Sequence, residues 1–549
     1  MSADQRLSYV HGTSDVPLLG TTIGERLRET VARFGEREAL VVRNQDYRTT
    51  YAQLWDDTTR LAKALMARGI RRGDRVGMWS PNRFEWLVAQ YATARIGAVL
   101  VNVNPAYRAA ELEYALNQSG QRMLLHAKGF RTTDYGEILG RVRGNCPQLE
   151  ASFVLDTQWE ELHAPAPETS DEALAAREAT LTFDDPINIQ YTSGTTGSPK
   201  GATLSHHNIL NNGYMLAQIM DYSEQDRVCV PVPFYHCFGM VMGNLASMSV
   251  GACVVIPAEA FDPGATLETI QAERCTSLYG VPTMFIGQLA HPAFDAFDLG
   301  SLRTGCMAGS PCPVEVMKQV IERMNMKEVT IAYGMTETSP VSTQTRGDDT
   351  IEKRVGSVGR VHPHVEVKII DPEMGVTVPR GVRGELCTRG YSVMLGYWNN
   401  EEATKNAIDA GRWMHTGDLA TMDDEGYVNI TGRIKDMIIR GGENIYPREV
   451  EEYLYRHPAV EDAQVIGIPS EKYGEEVMAW VKVAAGESVT EDDLVAFCKG
   501  NIATFKIPKF WRLCDEFPMT VTGKIQKFKM RDISIQELGL ADAAAAQTA

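Results

Sequence analysis

At 549 residues the chain exceeds what one hydrophobic core fills, and at ~150 residues per domain it is expected to form two to four domains. Its 44% hydrophobic and 23% charged residues are those of an ordinary globular protein, and a net charge of −17 excludes a general nucleic-acid binder. Ten scattered cysteines, with no CxxC pair and no His/Cys cluster at zinc spacing, argue for reduced thiols in a cytoplasm and against a structural metal.

The N-terminus, MSADQRLSYVHG, lacks the apolar core of a signal peptide. From residue 20 to 130, helical and strand patterns alternate. Ile23, Leu27, Val31 and Phe34 form one helical stripe, and Thr50 with Gln53 forms a capping box opening a helix through Leu61 and Leu65. Strands are expected at 75–79, 98–103 and 123–126, with helices at 84–96 and 109–116 between them. Such interleaving predicts a largely parallel sheet covered on both faces. Residues 160–180, rich in Ala, Glu and Pro, read as a surface connection.

Next comes YTSGTTGSPKG, residues 191–201. Ile187, Ile189 and Tyr191 alternate with polar residues before it, the period of a strand buried on one face; behind it, Ser205 is placed to cap a helix carrying Ile209, Leu216 and Ile219. Two glycines, four hydroxyls and Lys200 between ordered elements can aim backbone N–H groups, hydroxyls and one full positive charge at an anion, and phosphate is the natural guest. Ser198 and Pro199 separate the second glycine from the lysine, so the loop departs from the Walker pattern.

Residues 228–258 contain no Asp, Glu, Lys or Arg, but three prolines, a histidine, an asparagine and glycines interrupt them; a buried helix followed by a buried strand at 252–256 is expected rather than a membrane span. Short strands at 253–256, 277–279 and 329–332 continue the α/β rhythm. Loops such as Gly334-Met335-Thr336-Glu337 follow at strand ends, where ligands bind in such folds. Between 355 and 430 the pattern changes to short β segments punctuated by glycine. It shifts again at Gly432, where a boundary near Lys435 divides residues 1–434 from an α+β region at 435–549. Seven basic residues against two acidic ones from Lys506 to Arg531 suggest a basic face for a polyanionic small molecule or, equally on charge alone, a solvated surface.

With these motifs in order, the chain resembles the adenylate-forming superfamily, which includes acyl-CoA synthetases, aryl-CoA ligases, luciferases and stand-alone adenylation domains. YTSGTTGSPKG looks like its phosphate loop, Tyr333-Gly334-Met335-Thr336-Glu337 its adenine and magnesium motif, and Thr416-Gly417-Asp418 its ribose motif. Residues 432–436 look like its hinge, and Thr522-Gly523-Lys524 like its terminal lysine motif. The wording GMTETSPV at 334–341 is most similar to medium-chain fatty acid–CoA ligases.

The resemblance implies an α/β fold: a large N-terminal domain of parallel-type sheets covered by helices, with a small β-rich subdomain at 355–430, and a small mobile α+β lid. It implies an ATP-dependent acid–CoA ligase that forms acyl-AMP with release of pyrophosphate and then transfers the acyl group to CoA. The acid would be a short- to medium-chain fatty acid. A short hydroxy-acid or aryl-acid CoA ligase, or a ligase loading a carrier protein, would carry much the same motifs. Partners are then a carboxylic acid, ATP and coenzyme A, with a homodimer allowed.

Residue by residue, Thr192, Ser193, Gly194, Thr195, Thr196, Gly197 and Lys200 would hold the ATP phosphates. Tyr333, Gly334, Gly309 and Ser310 would face the adenine, and Thr336 the α-phosphate. Glu337 with Thr196 would hold Mg²⁺, a cation that prefers oxygen ligands and takes few from the protein. Asp418 and Arg433 would bind the ribose hydroxyls, although each alone reads as a surface ion pair. Lys435 would be the hinge, Lys524 the lysine that joins carboxylate and α-phosphate, and Gly442 the wall of the pantetheine tunnel. His236, in the aromatic segment 234–240, would gate the acyl carboxylate; a structural histidine is its alternative. Neither 234–240 nor 307–311 carries a charged partner for the acid's tail, so an uncharged, mostly apolar tail is favoured.

Overall fold

The computed structural model describes residues 6–164, 166, 169–192, 199–310, 312–440, 443–470, 472–520 and 525–540. The chain is α/β and divides into two compact units: Val10–Val367 with Cys387–His415, and Met1–Tyr9 with Lys368–Leu386 and Thr416–Ala549. Lys435 lies within the second unit, in the 3₁₀ turn Ile434–Asp436.

The larger unit holds two extended sheets. One runs in the order Gly396–Tyr397, Lys200–Ser205, Pro186–Thr192, Val99–Val103, Arg75–Trp79, Gln121–His126, Ala151–Val154. Its last five strands are parallel, while Lys200–Ser205 pairs antiparallel to both neighbours. The other has a parallel centre, Glu328–Gly334, Thr304–Ala308, Ser277–Gly280, Arg227–Cys229, Cys253–Ile256 and Glu38–Val42, flanked by antiparallel edges. The helix Phe84–Ile96 is buried on every side, as an all-round apolar helix must be; its charged members are paired, Arg95 to Glu178 at 2.7 Å and Glu85 to Arg83 at 2.7 Å.

Local chemistry decides the termini. Thr50 accepts from the Gln53 N–H while the Gln53 side chain accepts from the Thr50 N–H, and the helix Tyr51–Ala67 starts there. Ser205 does the same with Asn208 for the helix His206–Ile219. Residues 228–258 form a π-helical segment Phe238–Leu245, a short helix Ala246–Val250 and the buried strand Cys253–Ile256. Among the described residues no helix is long and apolar enough to cross a membrane.

Three expectations need correction. The strand before the loop is buried on both faces: Asn188 and Gln190 are as enclosed as Ile187 and Ile189, because the strand is central in its sheet. Residues 160–180 are not merely a connection, since they contain the end of the helix Leu155–Leu162 and the helix Asp171–Glu178, capped by Ser170. Among the described residues, five of the run's basic groups have acidic partners, so it is not a bare basic face. Lys506 pairs with Glu449 at 2.5 Å, Arg512 with Glu537 at 2.9 Å, Lys527 with Glu451 at 2.5 Å and Arg531 with Glu475 at 2.8 Å, while Lys509 lies 3.8 Å from Glu476. The compensating glutamates are distant in sequence, which is why charge counting within the run missed them.

The strands Val365–Ile370, Gly384–Gly390, Met414–Met422 and Val428–Arg433 are adjacent in that order in one five-stranded sheet, and the smaller unit has a second sheet of its own. Its second sheet is built around the long antiparallel pair Val460–Ser470 and Gly474–Val483, with Phe510–Cys514 parallel to the latter. The helices Pro447–Leu454 and Lys527–Glu537 pack against Val460–Ser470.

Candidate active site

In the larger unit, three segments far apart in sequence meet at one carboxylate. Glu337 sits in the buried 3₁₀ turn Thr336–Thr338, which follows the strand Glu328–Gly334. The turn closes on itself: Thr338 donates its N–H to the Met335 carbonyl at 2.8 Å, and the Met335 N–H donates to Thr338 Oγ1 at 3.1 Å. Before it, Gly334 cannot be replaced without rearrangement, since a Cβ there would lie 1.7 Å from the Pro340 carbonyl oxygen.

Two hydroxyls donate to Glu337 Oε1. Thr192, the last residue of Pro186–Thr192, does so at 3.2 Å, and Tyr397 at 2.8 Å. Lys200, the first residue of the next strand, places Nζ 5.3 Å from the centre of the Tyr397 ring. Burial and the neighbouring carboxylate push the Tyr397 phenol up, so it remains a donor. Both donors among the described residues bind Oε1, which leaves Oε2 for a hard cation; an oxygen ligand of this kind fits Mg²⁺. Ser193, Gly194, Thr195, Thr196 and Gly197, as well as Gly442 and Lys524, lie outside the described residues.

Around this carboxylate, Thr336 is buried, and Tyr333 is half-buried opposite Thr343 on the antiparallel neighbour. Gly309 and Ser310 follow the strand Thr304–Ala308, the former exposed at φ +90° and the latter accepting from the Cys312 thiol.

His236 is exposed in the turn before the π-helical segment, where its Nδ1 accepts the Phe238 N–H at 3.2 Å. A neutral ring in that bond carries its proton on Nε2. Next to it, the buried Cys237 thiol is pushed up by burial.

Sequence reasoning missed the amides that seat this turn. Asn102 Nδ2 donates to the Tyr235 carbonyl at 2.9 Å, Asn188 donates to Asn102 Oδ1 at 3.0 Å, and Asn82 Oδ1 accepts the Phe234 N–H at 2.8 Å. Asn102 and Asn188 left a signal as polar residues inside otherwise apolar strands, Asn102 in VLVNV above all, while Asn82 lies in the bend before Phe84 and left none. Tyr397 was missed as well, with no local pattern to mark it.

In the smaller unit, Asp418 and Arg433 face each other on paired strands, with Arg433 Nε 2.9 Å from Asp418 Oδ1. The turn before Asp418 is held by the Thr416 hydroxyl on the Leu386 carbonyl at 2.7 Å and by the Gly417 N–H on Glu385 at 3.1 Å, with Gly417 at φ +71°. Lys435 is exposed.

A buried carboxylate just past the carboxyl end of a strand in a largely parallel sheet, sharing one tyrosine with a lysine, is equipment suited to an enzyme that handles a nucleotide. A family model described as AMP-binding enzyme matches residues 27–398, and one described as AMP-binding enzyme C-terminal domain matches residues 449–524. The chain belongs to the AMP-binding enzymes, and its activity is ATP-dependent ligation of an acid to coenzyme A.

It is 50% identical over 543 residues to YngI of Bacillus subtilis (strain 168), an acyl-CoA synthetase by name, covering 95% of this chain and 99% of that protein. It is 44% identical over 561 residues to the mitochondrial medium-chain acyl-CoA ligase ACSF2 of Rattus norvegicus, covering 97% and 91%. The crystal structure of the anthranilate CoA ligase AuaEII in complex with anthranoyl-AMP superposes with a TM-score of 0.85 at 28% identity, covering 95% and 98%.

Proposed function

We propose that this enzyme activates short- to medium-chain fatty acids, C4 to C10, and passes them to coenzyme A. In the first half-reaction an oxygen of the acid attacks the α-phosphorus of ATP, and pyrophosphate leaves with the electrons of the broken P–O bond. In the second, the CoA thiolate attacks the acyl carbon and AMP leaves. Two anions meet in the first step, so its catalysis is mainly charge neutralisation and positioning.

Thr192, Lys200 and the loop between them would hold the β- and γ-phosphates, and Tyr333 would stack on adenine beside Gly309, Ser310 and Gly334. Thr336 would face the α-phosphate, and Asp418 with Arg433 the ribose. Glu337 and Thr196 would hold Mg²⁺, which when bound offsets phosphate charge. Residues 435–549 would act as a lid turning at Lys435, bringing Lys524 for the first step and the 440–443 segment, with Gly442 along the pantetheine path, for the second. His236 would keep the acid's carboxylate at the pocket mouth.

The observation that carries this reading is the convergence of Thr192, Lys200 and Tyr397 around Glu337. Support for the acid comes from the uncharged segment Phe238–Leu245, buried throughout, and from the name of the ACSF2 relative. The free thiols favour a cytoplasmic site of action.

The test is a panel of acids with ATP, Mg²⁺ and CoA, following AMP and thioester. Hexanoate and octanoate are expected to give the highest kcat/KM. A preference for benzoates or palmitate would reject the chain-length reading, and acyl-AMP without thioester would favour loading of a carrier.

A further inference from the structure

Tyr397 belongs to none of the motifs that suggested the nucleotide site, yet it touches two of them. It lies on the edge strand Gly396–Tyr397, opposite Ala202, while Gly396 is opposite Thr203. The Trp398 N–H donates to the Gly201 carbonyl at 2.8 Å, and the Tyr397 N–H to Thr404 Oγ1 at 2.9 Å. The first bond ties the phenol's backbone to the strand that begins with Lys200, and the second ties it to the helix Glu401–Ala407.

The ring separates two opposite charges. Its hydroxyl donates to Glu337 Oε1, and its face receives the Lys200 ammonium, a cation–π contact within the useful range of ~6 Å. Lys200 and Glu337 form no ion pair with each other, although both touch the same side chain. Such a pair would occupy the carboxylate that a divalent cation needs and the ammonium that phosphates need.

We propose that Tyr397 is a positioning residue that orients the Glu337 carboxylate toward the divalent cation accompanying ATP and keeps Lys200 from neutralising it. The inference rests on the reading of Glu337 as the cation's ligand. Removing a hydrogen-bond partner behind a metal-ligating group typically lowers metal affinity by 10–100-fold. The Tyr397 hydroxyl has that place here, while its ring holds the lysine.

The experiment is calorimetric titration of ATP into the full-length enzyme, once in EDTA and once with saturating Mg²⁺. It compares wild type, Tyr397→Phe, Glu337→Gln and the double variant. The phenylalanine keeps the ring and loses the hydroxyl. Its Mg²⁺-dependent gain in ATP affinity is expected to fall about tenfold, with affinity in EDTA unchanged within about twofold.

In the Glu337→Gln background the same change is expected to cost nothing further, since the tyrosine acts through that carboxylate. An undiminished gain in Tyr397→Phe beside a clear gain in wild type overturns the inference alone. Equal loss with and without Mg²⁺, or equal loss in both backgrounds, reduces Tyr397 to a structural part and also overturns it. A wild-type enzyme with no Mg²⁺-dependent gain overturns the Glu337 reading and this inference together.

Discussion

Glu337 is a carboxylate taken out of water and given two hydroxyl donors on one oxygen, an arrangement that fixes its direction. The other charged residues assigned to the reaction act at a distance from it in sequence, and their roles separate by half-reaction. Lys524→Ala should fail to make acyl-AMP from acid and ATP, with a rate loss of about 10²–10³, since a single preorganised donor to developing charge has that value. The same variant should still convert supplied acyl-AMP and CoA to thioester. A bulky residue at Gly442, such as Gly442→Trp, should do the reverse. Each half-reaction is measured alone on each variant; a Lys524→Ala enzyme that is folded and loses both halves equally would rule out a lid that carries the lysine away between steps.

At the scale of elements, the strand Arg75–Trp79, the helix Phe84–Ile96 and the Thr50–Gln53 capping box stand where the sequence places them, because periodicity and capping are local properties. The strands Lys200–Ser205 and Thr304–Ala308 had no such signal. One follows a glycine- and proline-rich loop and the other holds a glycine, a threonine and a cysteine, so both owe their conformation to sheet neighbours. The motif residues Thr192, Lys200 and Glu337 were legible, while Tyr397 carried no local signal and Asn102 and Asn188 showed only as polar residues in apolar strands, without naming the remote groups they bond.

Those amides make a specific prediction. Asn102 donates to the Tyr235 carbonyl and accepts from Asn188, so Asn102→Leu removes both bonds; Asn188 keeps its bond to the Leu100 carbonyl at 2.9 Å, and the loss is about 1–3 kcal/mol in all. The variant should lower the urea midpoint with unchanged slope and raise KM for the acid more than KM for ATP. An unchanged acid KM would show that the turn carrying His236 does not depend on this seat.

The larger unit also carries a response to pH. His126, His163, His206, His207 and His362 are all held below the ordinary imidazole value by burial, His206 at about 4. The unfolded chain takes up these protons near pH 6.5 and the folded chain refuses them, so stability is complete above about 6.5 and falls as pH drops toward 4. His206 alone accounts for roughly 2 kcal/mol between pH 7 and pH 5. Its Nδ1 accepts the Ile23 N–H at 3.2 Å, a bond an asparagine oxygen can imitate, so His206→Asn should flatten the dependence. Urea unfolding at pH 7 and pH 5 measures it, and greater stability at pH 5 would contradict the sign.

The way the compact units thread the chain matters before the enzyme has ever met a substrate. Residues 368–386 leave the ribosome long before Thr416–Ala549, with which they share a unit. At ~5–20 residues per second the edge of Gly384–Gly390 waits on the order of two to seven seconds for Met414–Met422, and the rest of the unit takes on the order of ten to thirty seconds to follow. The smaller unit is therefore completed only when the chain is finished, and a chaperone at the ribosome finds its exposed edges until then.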